Sequence, residues 1–327
     1  MKIFPLFLPH LGCNYNCVYC DQKAITNVEN PPVDLVLKDV KKFCDYNISD
    51  EKEIAFFGGT FTNVKDELQQ KYLNTVNIYR GKFNGIRIST RPDSIDQEIL
   101  DNCRTNNIRT IELGIQSFDD DVLKATKRGY TSQQAIDSCL LIKKYGFLLG
   151  IQLMPGLPGF NGKSLERSIQ ETIKLNPDFI RIYPTIVLKN TILEKWYRSG
   201  KYRPSSLAES IAIVTKMIGA FEKERLKIIK VGLHSDINRS SVIAGPYHQS
   251  FGELVRAEIL KNEILKNFEK KTLEISPLDI SLFKGFDSKM MKEIKTKTDT
   301  AQLGIRVNKA IEKGNYYFTN KKPEYIW

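Results

Sequence analysis

Residues 13 to 20 read Cys-Asn-Tyr-Asn-Cys-Val-Tyr-Cys, CNYNCVYC, and place three thiols close to the N-terminus. The spacing C-x3-C-x2-C puts Cys13, Cys17 and Cys20 in one short loop, too crowded for three independent roles, so they read as one metal site. Thiolates are soft ligands that suit zinc, copper(I) or iron–sulfur clusters. A structural zinc site wants four protein ligands, usually as two pairs, whereas this loop offers three. No nearby histidine completes a C-x2-C…H-x3-H pattern, although His10 precedes the loop and keeps zinc as an alternative. Three thiolates on a four-iron cluster leave one iron open to an outside ligand, and an open iron is a place where chemistry can start.

Outward from the loop, the chain has 327 residues, enough for one sizeable core or for one large domain plus an appendage. Its 41% hydrophobic and 27% charged composition is that of a soluble globular protein. No apolar run approaches the roughly 20 residues that a membrane span needs. The N-terminal MKIFPLFLPH runs straight into the cysteine loop, so signal-peptide cleavage would fall beside the metal site. The expectation is a cytoplasmic protein without membrane contact. Cys44, Cys103 and Cys139 stand singly and read as small buried apolar residues in a reducing compartment. The net charge of +11 is uneven: Lys201 to Trp327 carries 23 basic and 15 acidic residues, or +8. A basic C-terminal third of this kind is a candidate RNA contact.

Apolar strand-like runs alternate with amphipathic helical stretches. The strands are expected at Ile3–Leu8, Glu53–Phe57, Gly85–Thr90, Arg109–Ile115, Phe147–Met154 and Asp178–Tyr183. Helices are expected near 34–45, 64–80, 95–105, 119–145 with a break at Gly129, and 163–175. This alternation implies βαβ units and a parallel sheet. Six units are too few to close an eight-fold barrel, so the expected fold is α/β, a partial (β/α)6 TIM-type barrel. Each motif falls at the C-terminal end of a strand, where barrel active sites lie. Past Pro184, a helix is expected at Ser206–Glu224, a strand at Lys227–Leu233, and a second helix at Ser250–Leu265. Residues 1–265 are read as the core with its following helices, and 266–327 as a small basic α+β extension.

The cysteine spacing, with Tyr19 just before the last cysteine, resembles the signature of the radical S-adenosylmethionine (SAM) superfamily. Gly58-Gly59-Thr60 after an apolar strand is similar to that superfamily's glycine motif. The runs FFGGTFT, STRPD, IELGIQSFDDDVLKATKRGYT and MPGLPG look like the core shared by elongator-type tRNA-modifying enzymes and oxygen-independent coproporphyrinogen oxidase. The resemblance covers roughly residues 3 to 190. It implies a [4Fe-4S] cluster on Cys13, Cys17 and Cys20, with SAM chelating the open iron. By the same resemblance, Tyr19 belongs to the cofactor set and the backbone of Gly58, Gly59 and Thr60 receives the methionine amino group. Ser89 and Gln116 lie near the ribose, Arg128 pairs with the SAM carboxylate, Gln152 is a further ribose contact, and Met154 to Leu157 line the adenine. Bland alternatives stand beside these: Gln116-Ser117 as a helix cap and Arg128 as a cation at a helix C-terminus.

The resemblance implies reductive cleavage of SAM to a 5'-deoxyadenosyl radical that takes hydrogen from a substrate, with a flavodoxin- or ferredoxin-type electron donor. Elongator enzymes space their first two cluster cysteines more widely and carry an acetyltransferase domain. The present sequence has the tighter spacing and is expected to lack that domain. The leading expectation is a radical SAM enzyme acting on RNA or a nucleoside. The alternatives are one acting on a small metabolite such as a porphyrin, and a zinc-stabilised binding protein. Substrate contacts are expected from Arg181 and Tyr183 at the end of the sixth strand, and from Tyr247 and His248 in the turn GPYHQSF.

Overall fold

Seven parallel strands in the order β1-β2-β3-β4-β5-β6-β8 form the main sheet, which curls into a partial barrel with helices between the strands. The computed structural model describes residues 2–22, 29–46, 51–233, 237–267, 272–284, 292–294, 296 and 304–326. The strands are β1 (Lys2–Leu8), β2 (Lys52–Gly58), β3 (Gly85–Thr90), β4 (Ile108–Gln116), β5 (Leu148–Leu153), β6 (Phe179–Ile182) and β8 (Ile228–Val231). The helices between them are α1 (Val33–Asp45), α2 (Asp66–Asn77), α3 (Gln97–Thr105), α4 (Asp120–Ala125), α5 (Ser132–Lys144) and α6 (Gly162–Leu175). The expected break at Gly129 separates α4 from α5. Lys127 and Gly129 both take positive φ there, and Thr131 opens α5 with a capping box closed by Gln134.

The sheet has one strand more than the six expected for the barrel. The run at 227–233 was read as a strand outside it, but β8 pairs parallel with β6 through Ile180↔Ile228 and Ile182↔Val231. Its residues are only half-buried or exposed, so its apolar signal is that of an edge strand and did not mark it as part of the sheet. The sequence also gave no sign of the short antiparallel pair β7 (Val187–Leu188) and β9 (Val242–Ala244), or of helix α7 (Ile192–Arg198). Helix α8 spans Leu207–Lys223 and α9 spans Phe251–Lys266.

The chain divides into two compact units, one of residues 1–210 with 220–249 and one of 211–219 with 250–327. The second unit holds a four-stranded mixed sheet in the order β12-β10-β11-β13, with β10 (Thr272–Ile275), β11 (Gly304–Val307), β12 (Tyr316–Thr319) and β13 (Tyr325–Ile326). Ala257, Leu260 and Ile264 of α9 share its core with Leu273, Ile275, Leu282 and Ile305.

Alternation along the barrel strands sorts two kinds of side chain. Ile54, Phe56, Ile86, Ile88, Ile111, Leu113, Ile151, Leu153, Ile180 and Ile182 are all buried and occupy one face. The other face carries Glu53, Arg87, Thr110, Glu112, Gln152 and Arg181, and here charges are chained. Arg87 donates through Nε (2.9 Å) and Nη2 (2.6 Å) to Glu53 Oε2, and through Nη1 (2.8 Å) to Glu112 Oε1. Arg181 Nη1 donates to Glu112 Oε2 at 2.9 Å, and Thr110 donates to Glu53 Oε1 at 2.9 Å. The first three charged side chains are 3 to 4% exposed. Gly150 makes room for the row, since a Cβ there would meet Phe179 and come within 2.9 Å of Glu112 Cγ.

Removing one partner of such a row leaves charges buried and unanswered, which costs about 3–5 kcal/mol. Arg87→Met is therefore expected to lower the unfolding free energy by about that amount. Denaturant titration measures it, and the double change Glu53→Gln, Arg87→Met, which leaves the Glu112–Arg181 pair in place, is expected to recover part of the loss.

Candidate functional site

At the C-terminal ends of the strands lies a cavity of about 260 Å³. The structure brings Cys13, Cys17, Tyr19, Cys20, Gly58, Gly59, Thr60, Ser89, Gln116, Arg128, Gln152, Met154, Arg181 and Tyr183 together on its wall. It does not bring Tyr247 and His248 there. Tyr247 packs behind Ile186, Leu188 and Ile237, which do face the cavity, and its hydroxyl is buried without a hydrogen-bond partner among the described residues. The antiparallel pairing of β7 with β9 joins the segment before this turn to the one that follows β6.

The cysteine loop is fixed to the barrel at several points. Thr60 N donates to Leu11 O at 2.8 Å and Gly59 N to Leu8 O at 3.0 Å. A Cβ on Gly59 would collide with the Leu11 carbonyl, so the glycine permits the loop backbone to lie directly on the strand end. The Gly59 N–H is thus taken up by the end of β1 and the Thr60 N–H by the loop, whereas an amino group would be received by carbonyl oxygens. The loop's two ends are tied by Gln22, whose N donates to His10 Nε2 at 2.8 Å and whose side chain donates to the Gly58 carbonyl. Val18 and Tyr19 are anchored in an apolar cluster with Val122, Leu157, Val187, Leu193 and Tyr202.

Each thiol meets a different neighbour. Cys13 Sγ lies 3.4 Å from Thr60 Oγ1, and Cys17 Sγ accepts from Arg128 Nη1 at 3.1 Å and Arg91 Nη1 at 3.6 Å. Burial pushes the Cys20 thiol up, and the nearby Cys17 and Cys13 add to it. Arg128 is buried and largely committed: Nε donates to Tyr130 Oη at 3.0 Å, Nη1 also to Tyr19 Oη at 3.1 Å, and Nη2 to the Gly114 carbonyl. None of these acceptors is a carboxylate. Gln116 takes φ +70° at the end of β4, where the register with β5 shifts, and its Oε1 accepts from Gln152 Nε2 at 3.1 Å. A left-handed glutamine at a strand end beside a bulge is a strained arrangement of the kind found at functional sites.

Arg91, Glu112, Tyr15 and Tyr130 were missed as site residues. Arg91 stood inside the quoted run STRPD, and Glu112 inside IELGIQ, as a charge within an otherwise apolar strand. That pattern is the signal that a strand face is lined rather than packed. Burial pushes the Tyr183 hydroxyl up to about 12, and Arg181 at its side works against that. His234, the histidine that follows the strand-like run at 227–233, lies outside the described residues.

Residues 7–172 match the family model of the Radical SAM superfamily, and residues 177–261 match the Radical_SAM C-terminal domain. The chain belongs to the radical SAM superfamily. It carries an elongator-type core, as its relatives indicate. It is 27% identical over 234 residues to the tRNA uridine(34) acetyltransferase of Dehalococcoides mccartyi (strain CBDB1), covering 59% of this chain and 50% of that one. It is 29% identical over 235 residues to Elongator complex protein 3 of Mus musculus, covering 64% and 42%. The chain thus spans about half the length of the curated relatives it matches. Among solved structures, the archaeal Methanocaldococcus infernus Elp3 aligns with a TM-score of 0.63 at 21% identity, covering 80% of this chain and 63% of that one. Coproporphyrinogen III oxidase (HemN) from Escherichia coli aligns with a TM-score of 0.51 at 17% identity, covering 68% and 52%. These alignments share the fold. No helix among the described residues is long and apolar enough to cross a membrane.

Family membership makes the chain an enzyme and implies SAM and a [4Fe-4S] cluster. The residues present fit such a group. Three thiols from one loop border a single cavity, and Arg128 is a buried cation that an anionic group at Cys17 would answer.

Because Gly59 seats the loop, Gly59→Ala is expected to cost about 1–3 kcal/mol and to speed alkylation of Cys13. Gly162→Ala, where an added Cβ meets nothing within 4 Å, is expected to leave both thermal stability and alkylation rate essentially unchanged.

Proposed function

We propose that the protein reductively cleaves SAM at a [4Fe-4S] cluster held by Cys13, Cys17 and Cys20, and uses the resulting 5'-deoxyadenosyl radical on RNA or a nucleoside. The observation that carries this reading is the convergence of the three thiols, the Gly58-Gly59-Thr60 turn, Gln116 and Arg128 on one cavity at the strand ends, in a chain of this superfamily. When bound, the cluster supplies the electron that breaks the carbon–sulfur bond.

The chain's own residues supply the rest. Cys13, Cys17 and Cys20 bind as thiolates; Arg128 and Arg91 compensate the charge at Cys17. Arg128 has one N–H not used by its described partners, on Nη2, and this suits it to a single bond with the SAM carboxylate rather than a fork. Gln116 and Gln152, joined to each other, present polar atoms where ribose hydroxyls need them, with Ser89 on the same wall. Met154 offers the apolar contact for adenine. Ile186, Leu188, Leu233 and Ile237 add an apolar surface to the cavity lining that excludes water and accepts the flat face of a base. Arg181 and Tyr183 stand at the substrate end of the cavity. The electron comes from a low-potential flavodoxin- or ferredoxin-type partner.

The RNA assignment is supported by relatives named for tRNA uridine modification and by the +8 charge of residues 201–327. The second unit, which carries part of that basic stretch, is proposed as the RNA contact. After anaerobic reconstitution with iron and sulfide and reduction in the presence of SAM, wild type is expected to release 5'-deoxyadenosine and Cys17→Ala to release none. A reconstituted cluster that never cleaves SAM would overturn the reading. Transfer RNA is expected to bind with log K falling linearly in log salt, the slope reporting the number of phosphates contacted. Binding that ignores salt, or a tight porphyrin-sized ligand with indifference to RNA, would shift the substrate to a small metabolite.

A further inference from the structure

Arg91 follows β3 directly, and nothing in its sequence context gives it a role beyond the turn that it begins. Its guanidinium is nevertheless among the most engaged groups in the barrel. Nε and Nη2 form a fork on Asp93, at 2.9 Å to Oδ1 and 2.8 Å to Oδ2. Nη2 also donates to the Arg128 carbonyl, and Nη1 points to Cys17 Sγ at 3.6 Å. Its carbon centre lies 4.5 Å from the Tyr15 ring centroid and 5.4 Å from that of Tyr130. Tyr15 in turn packs on Gly129, where any Cβ would run into the ring.

Two features follow. The contacts to Tyr15 and Cys17 pin the middle of the cysteine loop to two barrel segments, the end of β3 and the turn between α4 and α5. And two guanidiniums, of Arg91 and Arg128, converge on one sulfur. Like charges brought together in a buried setting repel strongly. A neutral thiol, a weak acceptor, gives little in return, whereas a sulfur carrying negative charge accepts charge-assisted bonds from both. Among the described residues, one of the two cations is paired with a carboxylate, Arg91 with Asp93.

We propose that Arg91 is a positioning residue for the cluster: it locks the Tyr15–Cys17 turn in place and, by donating to Cys17 Sγ, sets the cluster's reduction potential, with Asp93 as the counterweight. The proposal rests on the reading that Cys17 ligates a cluster. Net charge and hydrogen bonds to the sulfurs govern the potential of such clusters, and outer partners of ligating groups tune them. Positive charge and N–H donors favour the more negative, reduced form. Arg91 therefore raises the potential and Asp93 limits the rise.

The test reconstitutes wild type, Arg91→Gln, Arg91→Lys and Asp93→Asn anaerobically, measures iron and sulfide per chain, and then takes each through a redox titration followed by electron paramagnetic resonance. At equal iron and sulfide, Arg91→Gln is expected to shift the reduction equilibrium about tenfold toward the oxidised form, or about 59 mV more negative for one electron. Arg91→Lys, which keeps the charge but loses the fork, is expected to fall between Arg91→Gln and wild type. Asp93→Asn is expected to move the midpoint positive. Opposite signs are the informative outcome, since a loosened loop would move both variants in one direction. Same-sign shifts, or an unchanged midpoint in Arg91→Gln at full iron content, overturn the proposal and leave the cluster reading intact. Should Arg91→Gln fail to fold, Arg91→Lys and Asp93→Asn carry the same comparison. A wild type that takes up no iron or sulfide removes the cluster reading and this proposal with it.

Discussion

Ionised side chains stay inside a barrel only when each is met by an opposite charge at hydrogen-bonding distance, because desolvation otherwise outweighs what packing returns. The row Glu53–Arg87–Glu112–Arg181 meets that condition link by link across β2, β3, β4 and β6. It fixes much else. β5 has to pass between β4 and β6 without a side chain in the way, and Gly150 sits at that crossing. Phe179 stacks on Arg87 at 4.5 Å, so the row is walled by aromatic surface as well as paired. With the inward face given to charge, the apolar residues of the same strands turn toward the helices. The last members of the row, Glu112 and Arg181, reach the cavity wall, so the charge pattern of the barrel interior continues into the site.

Above that row the site is held together by contacts between residues distant in sequence. The cysteine loop contributes no regular structure of its own, yet the strand end at Gly58–Thr60, the turn around Arg128 and the side chains of Gln22 and Arg91 each take hold of a different part of it. The cost of ordering a loop is thereby met by groups already fixed by the barrel. Arg128 shows the economy of the arrangement. One buried guanidinium links Tyr19 and Cys17 of the loop to Gly114 of β4 and to Tyr130, whose hydroxyl donates in turn to the Ile115 carbonyl at 2.8 Å.

The strands and helices of the barrel were legible because each is an apolar run or stripe bounded by turn residues; Gly85–Thr90 and the break at Gly129 are clear cases. So was the gathering of the motifs, since every one of them followed a strand. What escaped has physical reasons. β8 is a half-exposed edge, whose sequence carries too little apolar signal to declare a place in the sheet. The left-handed Gln116 follows from a register shift between two strands, which no local pattern encodes. Arg91 matters through a partner 74 residues away in the chain, and a charged residue just past a strand end looks in sequence like any solvated turn, whereas Glu112 lies within β4 and finds its partners Arg87 and Arg181 on other strands. Tyr247 and His248 are the expected contacts that the described cavity wall does not include. An aromatic and an imidazole in a Gly-Pro turn look like a site, but Tyr247 packs against Ile186, Leu188 and Ile237 instead of lining the cavity.

The two sides of the cavity come from different lengths of chain. The polar side, from the cysteines to Met154, lies within residues 7–172, the part that matches the superfamily model. The apolar side, Ile186, Leu188, Leu233 and Ile237, comes from the connection into β7 and the segment leading to β9. These residues make few of the contacts on which the charge row and the cysteine loop depend. Such a division lets the apolar side drift under selection for a new guest while the opposite side stays unchanged. Within a lineage of related chains, then, a change of substrate is expected to leave its marks at Ile186, Leu188, Leu233 and Ile237, while Val187, Leu193 and Tyr202, which anchor Val18 and Tyr19 of the cysteine loop, are inherited intact.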